Sequence, residues 1–262
     1  MNLQLRRFDP SRIADDKVCI FIGKRGSGKS TLVTDILWHK RHIPVGVVMS
    51  ATEEGNHHYK QFVPDLFIHG DYQKDTVEKI LARQKTLANL NRVQPAFLLL
   101  DDCMYEKSRM KDLCIRQTFY NGRHWKLFFM LTMQYCMDLP PDLRGQCDYV
   151  FVFREPIVQN RKRLYENFFG IFPTFEMFEQ VLKACTENYE CLVLDNTSKS
   201  NRIEDCVFFY KSPIRKNFRI GSPAMWRFHQ TNYNPRYSQL PATGVEAPAK
   251  KGAPKIVVKK VG

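Results

Sequence analysis

The stretch VCIFIGKRGSGKSTLVTDIL, Val18 to Leu37, sets an apolar run against a glycine-rich turn and a second apolar run at helical spacing. Within it, Gly23-x-x-x-x-Gly28-Lys29-Ser30 is a phosphate-binding loop. Gly23, Lys24, Arg25, Gly26, Ser27 and Gly28 offer backbone N–H groups that curl around phosphate oxygens, and the helix that follows points its positive end at them. Lys29 reaches the β- and γ-phosphates, Ser30 ligates a magnesium ion (Mg2+), and Thr31 completes the nucleotide-contacting set. The context fits: Val18 to Ile22 read as a buried strand, while Leu32, Val33, Ile36 and Leu37 form one helical stripe. The expected ligand is a nucleoside triphosphate.

A phosphate loop serves many chemistries, so a second motif must discriminate among them. AFLLLDD, Ala96 to Asp102, is an apolar strand ending in acid. Asp101 there is suited to hold Mg2+ through its water shell, and Asp102 to polarise an attacking water, a pairing that favours hydrolysis over transfer to a bound acceptor. The alternative for Asp102 is capping of the next helix. Gln134, at the end of KLFFMLTMQ, is placed to sense the γ-phosphate. Arg123, in the turn NGRHW, is a candidate arginine finger for a neighbouring subunit's site, against a plain solvent-exposed turn. Arg25 is a second candidate, acting in cis, and Arg144 a third, with a structural role in its turn preferred.

Positioning these groups requires strands that alternate with helices. Val45 to Ser50 and LFIHG read as further strands, and Asp75 to Asn91 as a helix opened by Asp75 and Glu78 in capping-box spacing. A helix through RMKDLCIRQTFY separates AFLLLDD from KLFFMLTMQ, and DYVFVF follows the Pro140-Pro141 turn. Two helical stretches, VQNRKRLYENFFG and TFEMFEQVLKACTENY, lead to the strand-like runs YECLVLD and EDCVFFY. Runs apolar on both faces imply an α/β fold, a mostly parallel sheet sandwiched by helices. The expected division is an extension over 1–14, a core over 15–212, a basic aromatic extension over 213–240 and a disordered Lys/Pro/Ala-rich tail over 241–262.

The chain of 262 residues carries 40 Lys and Arg against 27 Asp and Glu, a net +13 that favours a polyanionic partner. From Cys206 to Val245 no acidic residue occurs, while Lys211, Arg215, Lys216, Arg219, Arg227 and Arg236 interleave with Phe218, Trp226, Phe228, Tyr233 and Tyr237. That pattern suits a nucleic-acid surface or, equally, a basic edge whose aromatics pack on the core. Eight scattered cysteines with no C-x-x-C pair read as core thiols of a reducing compartment, and His57-His58 as a surface loop. The opening residues lack the apolar core of a signal peptide, and no segment approaches the ~20 apolar residues of a membrane span, so a soluble intracellular protein is expected.

GKRGSGKS, LLLDDC, NGRH, LTMQY, LPPDLRGQCDYVFVFRE and NYECLVLDNTSKSNRIEDCVFFYK, in this order, resemble the poxvirus-type genome-packaging ATPases of nucleocytoplasmic large DNA viruses. These belong to the FtsK–HerA group of P-loop motors, with an ASCE, RecA-like core. The resemblance covers about Asp15 to Ser212. It implies an ATP-driven homo-oligomeric ring that moves double-stranded DNA into a preformed capsid, contacts a capsid vertex or membrane-associated capsid proteins, and works at a cytoplasmic viral assembly site or within the virion. It also implies Lys29 and Ser30 for nucleotide and metal, Asp101 and Asp102 as the acidic pair, Gln134 as sensor and Arg123 as trans-acting finger. Many members of the wider group have Glu where Asp102 stands. The runner-up is a P-loop kinase of a nucleoside or other small molecule, with FREPIVQNRKR as its lid. A GTP-dependent switch would need an N-K-x-D motif, which the chain lacks.

Overall fold

The computed structural model describes residues 3–234; the expected tail, 241–262, and Arg236 and Tyr237 of the basic stretch lie outside them. Among the described residues nine strands form one sheet: β1 (Arg6–Arg7), β2 (Val18–Ile22), β3 (Val45–Ser50), β4 (Ile68–His69), β5 (Ala96–Asp101), β6 (Leu127–Met133), β7 (Tyr149–Val152), β8 (Cys191–Asp195) and β9 (Val207–Tyr210). Their spatial order is β1-β9-β8-β7-β2-β6-β5-β3-β4. All neighbours are parallel except β8, which runs antiparallel to both β7 and β9. One strand, β6, is therefore inserted between β2, which leads into the glycine-rich loop, and β5, which ends in Asp101.

The central strands are buried on both faces because both faces carry helices. The helices are α1 (Lys29–His39), α2 (Glu53–Asn56), α3 (Lys74–Asn89), α4 (Leu113–Asn121), α5 (Pro141–Arg144), α6 (Val158–Phe168), α7 (Phe175–Ala184), α8 (Ile203–Cys206) and α9 (Pro223–Asn232). Strand alternation divides the core in two. Val18, Ile20 and Ile22 face the layer of α3, α4, α6 and α7, while Cys19 and Phe21 face the layer of α1 and α9. On the α1 side Phe21 stacks on Phe151 with ring centroids 4.9 Å apart.

Three local expectations are corrected. The third helix starts at Lys74 with Gln73 at its N-cap and no side-chain cap, so Asp75 sits inside the first turn and Asp75 and Glu78 form no capping box. The helix expected from Arg109 is split into a 3-10 turn, Arg109–Lys111, and α4. The break falls at Asp112, whose carboxylate accepts from Tyr72 Oη at 2.8 Å, while Arg109 is tied to Asp71 at 3.0 Å and to the Cys103 carbonyl at 2.7 Å. Finally, His58 is half-buried rather than a solvated loop residue: its Nε2 lies 2.8 Å from Thr34 Oγ1 of α1.

Both ends of the described chain pack on this frame. Phe8 is buried, edge-on to Phe151 and Tyr149 at 5.6 Å, as β1 pairs with β9. Phe218 stacks on Phe62 at 4.5 Å, and Trp226 donates its indole N–H to the Ile220 carbonyl at 3.0 Å. Of the described aromatics of the basic stretch, Phe218 belongs to the core, Trp226 and Tyr233 are half-buried, and Phe228 is exposed, as is Ile214. All eight cysteines are free thiols, and burial pushes Cys136 and Cys185 up to about 11. Among the described residues no helix is long and apolar enough to cross a membrane.

Candidate nucleotide site

Parallel strands gather their carboxyl ends at one edge, and here β2, β6 and β7 end level, with Ile22 opposite Met133 and Val152. The loop leaving β2 is tied to this edge by Gly23 N–H donating to the Met133 carbonyl at 3.1 Å. Glycine is required at both ends of the loop. A Cβ at Gly23 would meet Phe153 Cβ at 2.8 Å, and Gly28, the N-cap of α1, has φ of +103°. The first N–H groups of α1, starting at Lys29, have no partner within the helix and point toward the cleft's phosphate end.

Lys29 is buried, and its Nζ donates to the Gly23 carbonyl at 2.6 Å and the Lys24 carbonyl at 3.2 Å. It lies 3.8 Å from Asp102 Oδ2. Burial lowers the Lys29 pKa, opposed by the nearby Asp102 and Asp101 carboxylates.

The two acids at the end of β5 have different surroundings. Asp101 is buried and accepts hydrogen bonds from three hydroxyls: Thr132 at 2.7 Å, Tyr59 at 2.9 Å and Ser50 at 3.2 Å. Asp102 leaves the strand in the left-handed region, φ 48°, and its N–H donates to Thr132 Oγ1 at 2.9 Å. A non-glycine residue held there is strained, a feature that clusters at functional sites. Burial raises the Asp102 pKa, with Asp101 acting in the same direction and Lys29 against it. Gln134, just beyond β6, lines the cleft beside Asp102. The structure therefore brings together Lys29, Asp101, Asp102 and Gln134.

It does not bring in Arg123. That residue sits in the exposed turn Gly122–Trp125 before β6, at the end of the strand remote from the cleft. Seven strand residues separate it from Gln134's end, about 23 Å at strand rise. Arg25 is exposed and lines the cleft. Arg144 is engaged within its turn, donating to the Leu139 carbonyl at 3.0 Å and to Asn167 Oδ1.

The cleft has a volume of about 680 Å³. Its phosphate end is lined by Arg25, Gly26, Gly28, Lys29, Ser30 and Thr31, with Asp101, Asp102 and Gln134 as its floor. The Ser30 hydroxyl and Asp101 carboxylate are hard oxygen donors on this lining. Among the described residues no cluster of three His, Cys, Asp or Glu forms a protein cage for a metal. Such a sparse set suits Mg2+, which keeps water and takes its remaining ligands from phosphate oxygens. Sequence reasoning missed Ser50, Tyr59 and Thr132. Ser50 and Thr132 had a readable signal, a polar residue at the carboxyl end of an apolar run, whereas Tyr59 had none.

No family model matches the chain. An uncharacterised protein of Acanthamoeba polyphaga mimivirus is 38% identical over 246 residues, spanning 90% of this chain and 86% of its own length. An uncharacterised protein of Invertebrate iridescent virus 3 is 41% identical over 194 residues, 74% of each chain. Among solved structures, the genome packaging NTPase of Sulfolobus turreted icosahedral virus 2 in complex with ATP-γS superposes with a TM-score of 0.56. It is 21% identical and covers 78% of this chain and all of its own. The pCW3 conjugation coupling protein superposes with a TM-score of 0.52 at 11% identity, covering 76% of this chain and 60% of its own. These likenesses show a common fold, that of the nucleotide-binding α/β proteins. With identity this high over most of both chains, the protein belongs to the family represented by these mimivirus and iridescent virus proteins.

Proposed function

We propose that the protein is a magnesium-dependent ATPase that drives double-stranded DNA into a preformed viral capsid as a homo-oligomeric ring. One observation carries the hydrolytic reading: Asp102, strained at the end of β5, stands 3.8 Å from the loop lysine on the cleft floor that it shares with Gln134. In this reading the loop N–H groups and Lys29 neutralise the β- and γ-phosphates and orient the γ-phosphate toward the acid pair. Ser30 and Asp101 would hold Mg2+, which supplies charge neutralisation between the phosphates when bound. The three hydroxyls on Asp101 keep its carboxylate in place. Asp102, with a raised pKa, accepts a proton from the attacking water, and Gln134 reports whether the γ-phosphate is present.

The position of β6 between β2 and β5 supports assignment to the ASCE class. The structural neighbours named for genome packaging and for conjugation coupling support a DNA motor, as does the net charge of +13. In the basic stretch, exposed Lys216, Arg219 and Arg227 would contact the DNA phosphates. Arg123, exposed and remote from its own cleft, is free to enter a neighbour's site in trans. The kinase alternative has one observation of its own, a pocket of about 270 Å³ beside Asp102 and Gln134, lined also by Tyr105 and Asp138, where an acceptor would sit.

The test is ATP turnover of the full chain with duplex DNA of unrelated sequences and with nucleosides. Stimulation by every duplex, fading as salt rises, is expected. Phosphorylation of a nucleoside without DNA stimulation would overturn the motor reading in favour of the kinase. For the trans finger, Lys29→Ala and Arg123→Ala proteins are mixed, with native mass spectrometry verifying mixed rings. A finger contributes about 10³ to 10⁵ in rate, so recovered turnover is expected, and none in verified mixed rings rejects the Arg123 assignment.

A further inference from the structure

The cleft continues beyond the phosphate end to a second wall, built from Tyr189, Lys211, Ser212 and Ile214, that no step above uses. Tyr189 is 69% exposed and Ile214 is 76% exposed. Two large apolar side chains this exposed on the lining of one cleft offer a face to an apolar ligand group.

Both are held in place by specific structure. Asn188 and Tyr189 are successive non-glycine residues in the left-handed region, φ 51° and 64°, in a turn closed by Glu190 N–H donating to the Glu187 carbonyl at 2.9 Å. Strain at two adjacent positions marks a turn whose conformation serves its side chains. It brings Tyr189 over the phosphate loop, with Cδ1 3.5 Å from where a Gly28 Cβ would lie. Ile214 is positioned by a separate segment, the one that follows β9. Its neighbour Arg215 donates to Asp35 Oδ1 at 2.6 Å, and its guanidinium lies 3.7 Å from the Trp38 ring centroid. Asp35, fully buried on α1, also accepts from Tyr210 Oη at the end of β9. The helix that faces the phosphates thus carries, nearly two turns beyond Lys29, the carboxylate that secures the segment bearing Ile214.

The geometry points to Tyr189 and Ile214 as the base-binding wall of the nucleotide site: the purine packs on the Tyr189 ring, Ile214 covers its other side, and Lys211 and Ser212 flank its edge. This rests on the reading that the loop at Gly23 to Ser30 holds a triphosphate. An aromatic face and an aliphatic side chain recognise a base as an apolar plane, with stacking contributing about 10- to 100-fold in affinity.

The experiment measures ATP binding to the full chain by calorimetry, with inorganic tripolyphosphate as the probe that lacks a base. Tyr189→Ala is expected to weaken ATP about 10- to 100-fold and to leave tripolyphosphate within about twofold. Tyr189→Phe should keep ATP affinity, and Ile214→Ser should weaken ATP by about fivefold with tripolyphosphate again unmoved. Equal losses for ATP and tripolyphosphate in Tyr189→Ala would overturn the proposal, because Tyr189 would then only prop the loop. Unchanged ATP affinity would overturn it too. A wild-type chain that binds neither probe would reject the phosphate-loop reading itself, whereas one that binds tripolyphosphate as tightly as ATP rejects only the base wall.

Discussion

The two ends of the cleft are built on opposite principles. At the phosphate end, Lys29 and Asp101 are buried and held by several partners each: three hydroxyls on one carboxylate, two carbonyls on one ammonium. At the far end Tyr189 and Ile214 are open, and what is held is the backbone beneath them, through the 187–190 turn and the Asp35–Arg215 pair. The contrast separates two tasks. Charge chemistry gains from a dry, preorganised setting where dipoles need no rearrangement, whereas recognition of a flat apolar group needs only a surface set at the right distance.

The sharpest way to break this comparison is at the buried end. Lys29→Ala should reduce ATP turnover by about 10³-fold or more, read in a coupled phosphate-release assay, since it removes the charge facing the γ-phosphate. If turnover survives, the preorganised end is not the chemical one. Asp35→Ala should destabilise the fold by about 3 kcal/mol in urea denaturation, because Arg215 and Tyr210 lose their shared partner; partial exposure of Arg215 keeps the loss below that of a fully buried pair. An unchanged midpoint would show that the Ile214 segment is anchored elsewhere.

Asp102→Asn should lower turnover about 100-fold while ATP affinity stays within about threefold, so that binding and chemistry separate. Wild-type turnover in that variant would leave Asp102 a structural residue. Tyr59→Phe takes one of three donors from Asp101 and should raise the Mg2+ concentration for half-maximal turnover about tenfold, with ATP binding measured without metal unchanged.

The smallest effect is in pH. Burial raises the Asp102 pKa, so the acid-side fall in turnover should lie at higher pH than for an ordinary aspartate. The sign for stability is the reverse. The folded chain takes up that proton more readily than the unfolded one, so this group adds stability as pH falls through its folded pKa. Loss of rate without loss of melting temperature across that window is therefore expected, and parallel losses would assign the acid limb to unfolding.

Legibility in the sequence followed the same division. The loop from Gly23 to Ser30 and the acid pair were readable because their chemistry is local: a turn that needs glycine, and a strand that ends in carboxylates. The parallel core was equally open, since VCIFI and AFLLLD are apolar on both faces. What sequence did not give is what long-range contact decides. Asp35 and Arg215 meet across 180 positions, and nothing near either residue announces the pair. Asp112 broke an expected helix because Tyr72, on a different segment, takes its carboxylate. Tyr59 lies in a turn with no apolar periodicity, yet its hydroxyl reaches Asp101.

One further consequence lies in β6. Its carboxyl end leads to Gln134 in the subunit's own cleft, and its amino end follows Arg123 at the opposite edge. If Arg123 enters the next subunit's site, contacts around the assembly are head to tail, and each β6 lies along the circumference rather than along the channel. Such an arrangement closes into a ring only when the rotation between copies divides a full circle; otherwise it climbs as a helix. A single stiff strand would then span from one nucleotide to the next, and cross-linking between Arg123→Cys and Ser30→Cys of adjacent subunits would reveal it, while its absence in assembled particles would place the neighbours some other way round.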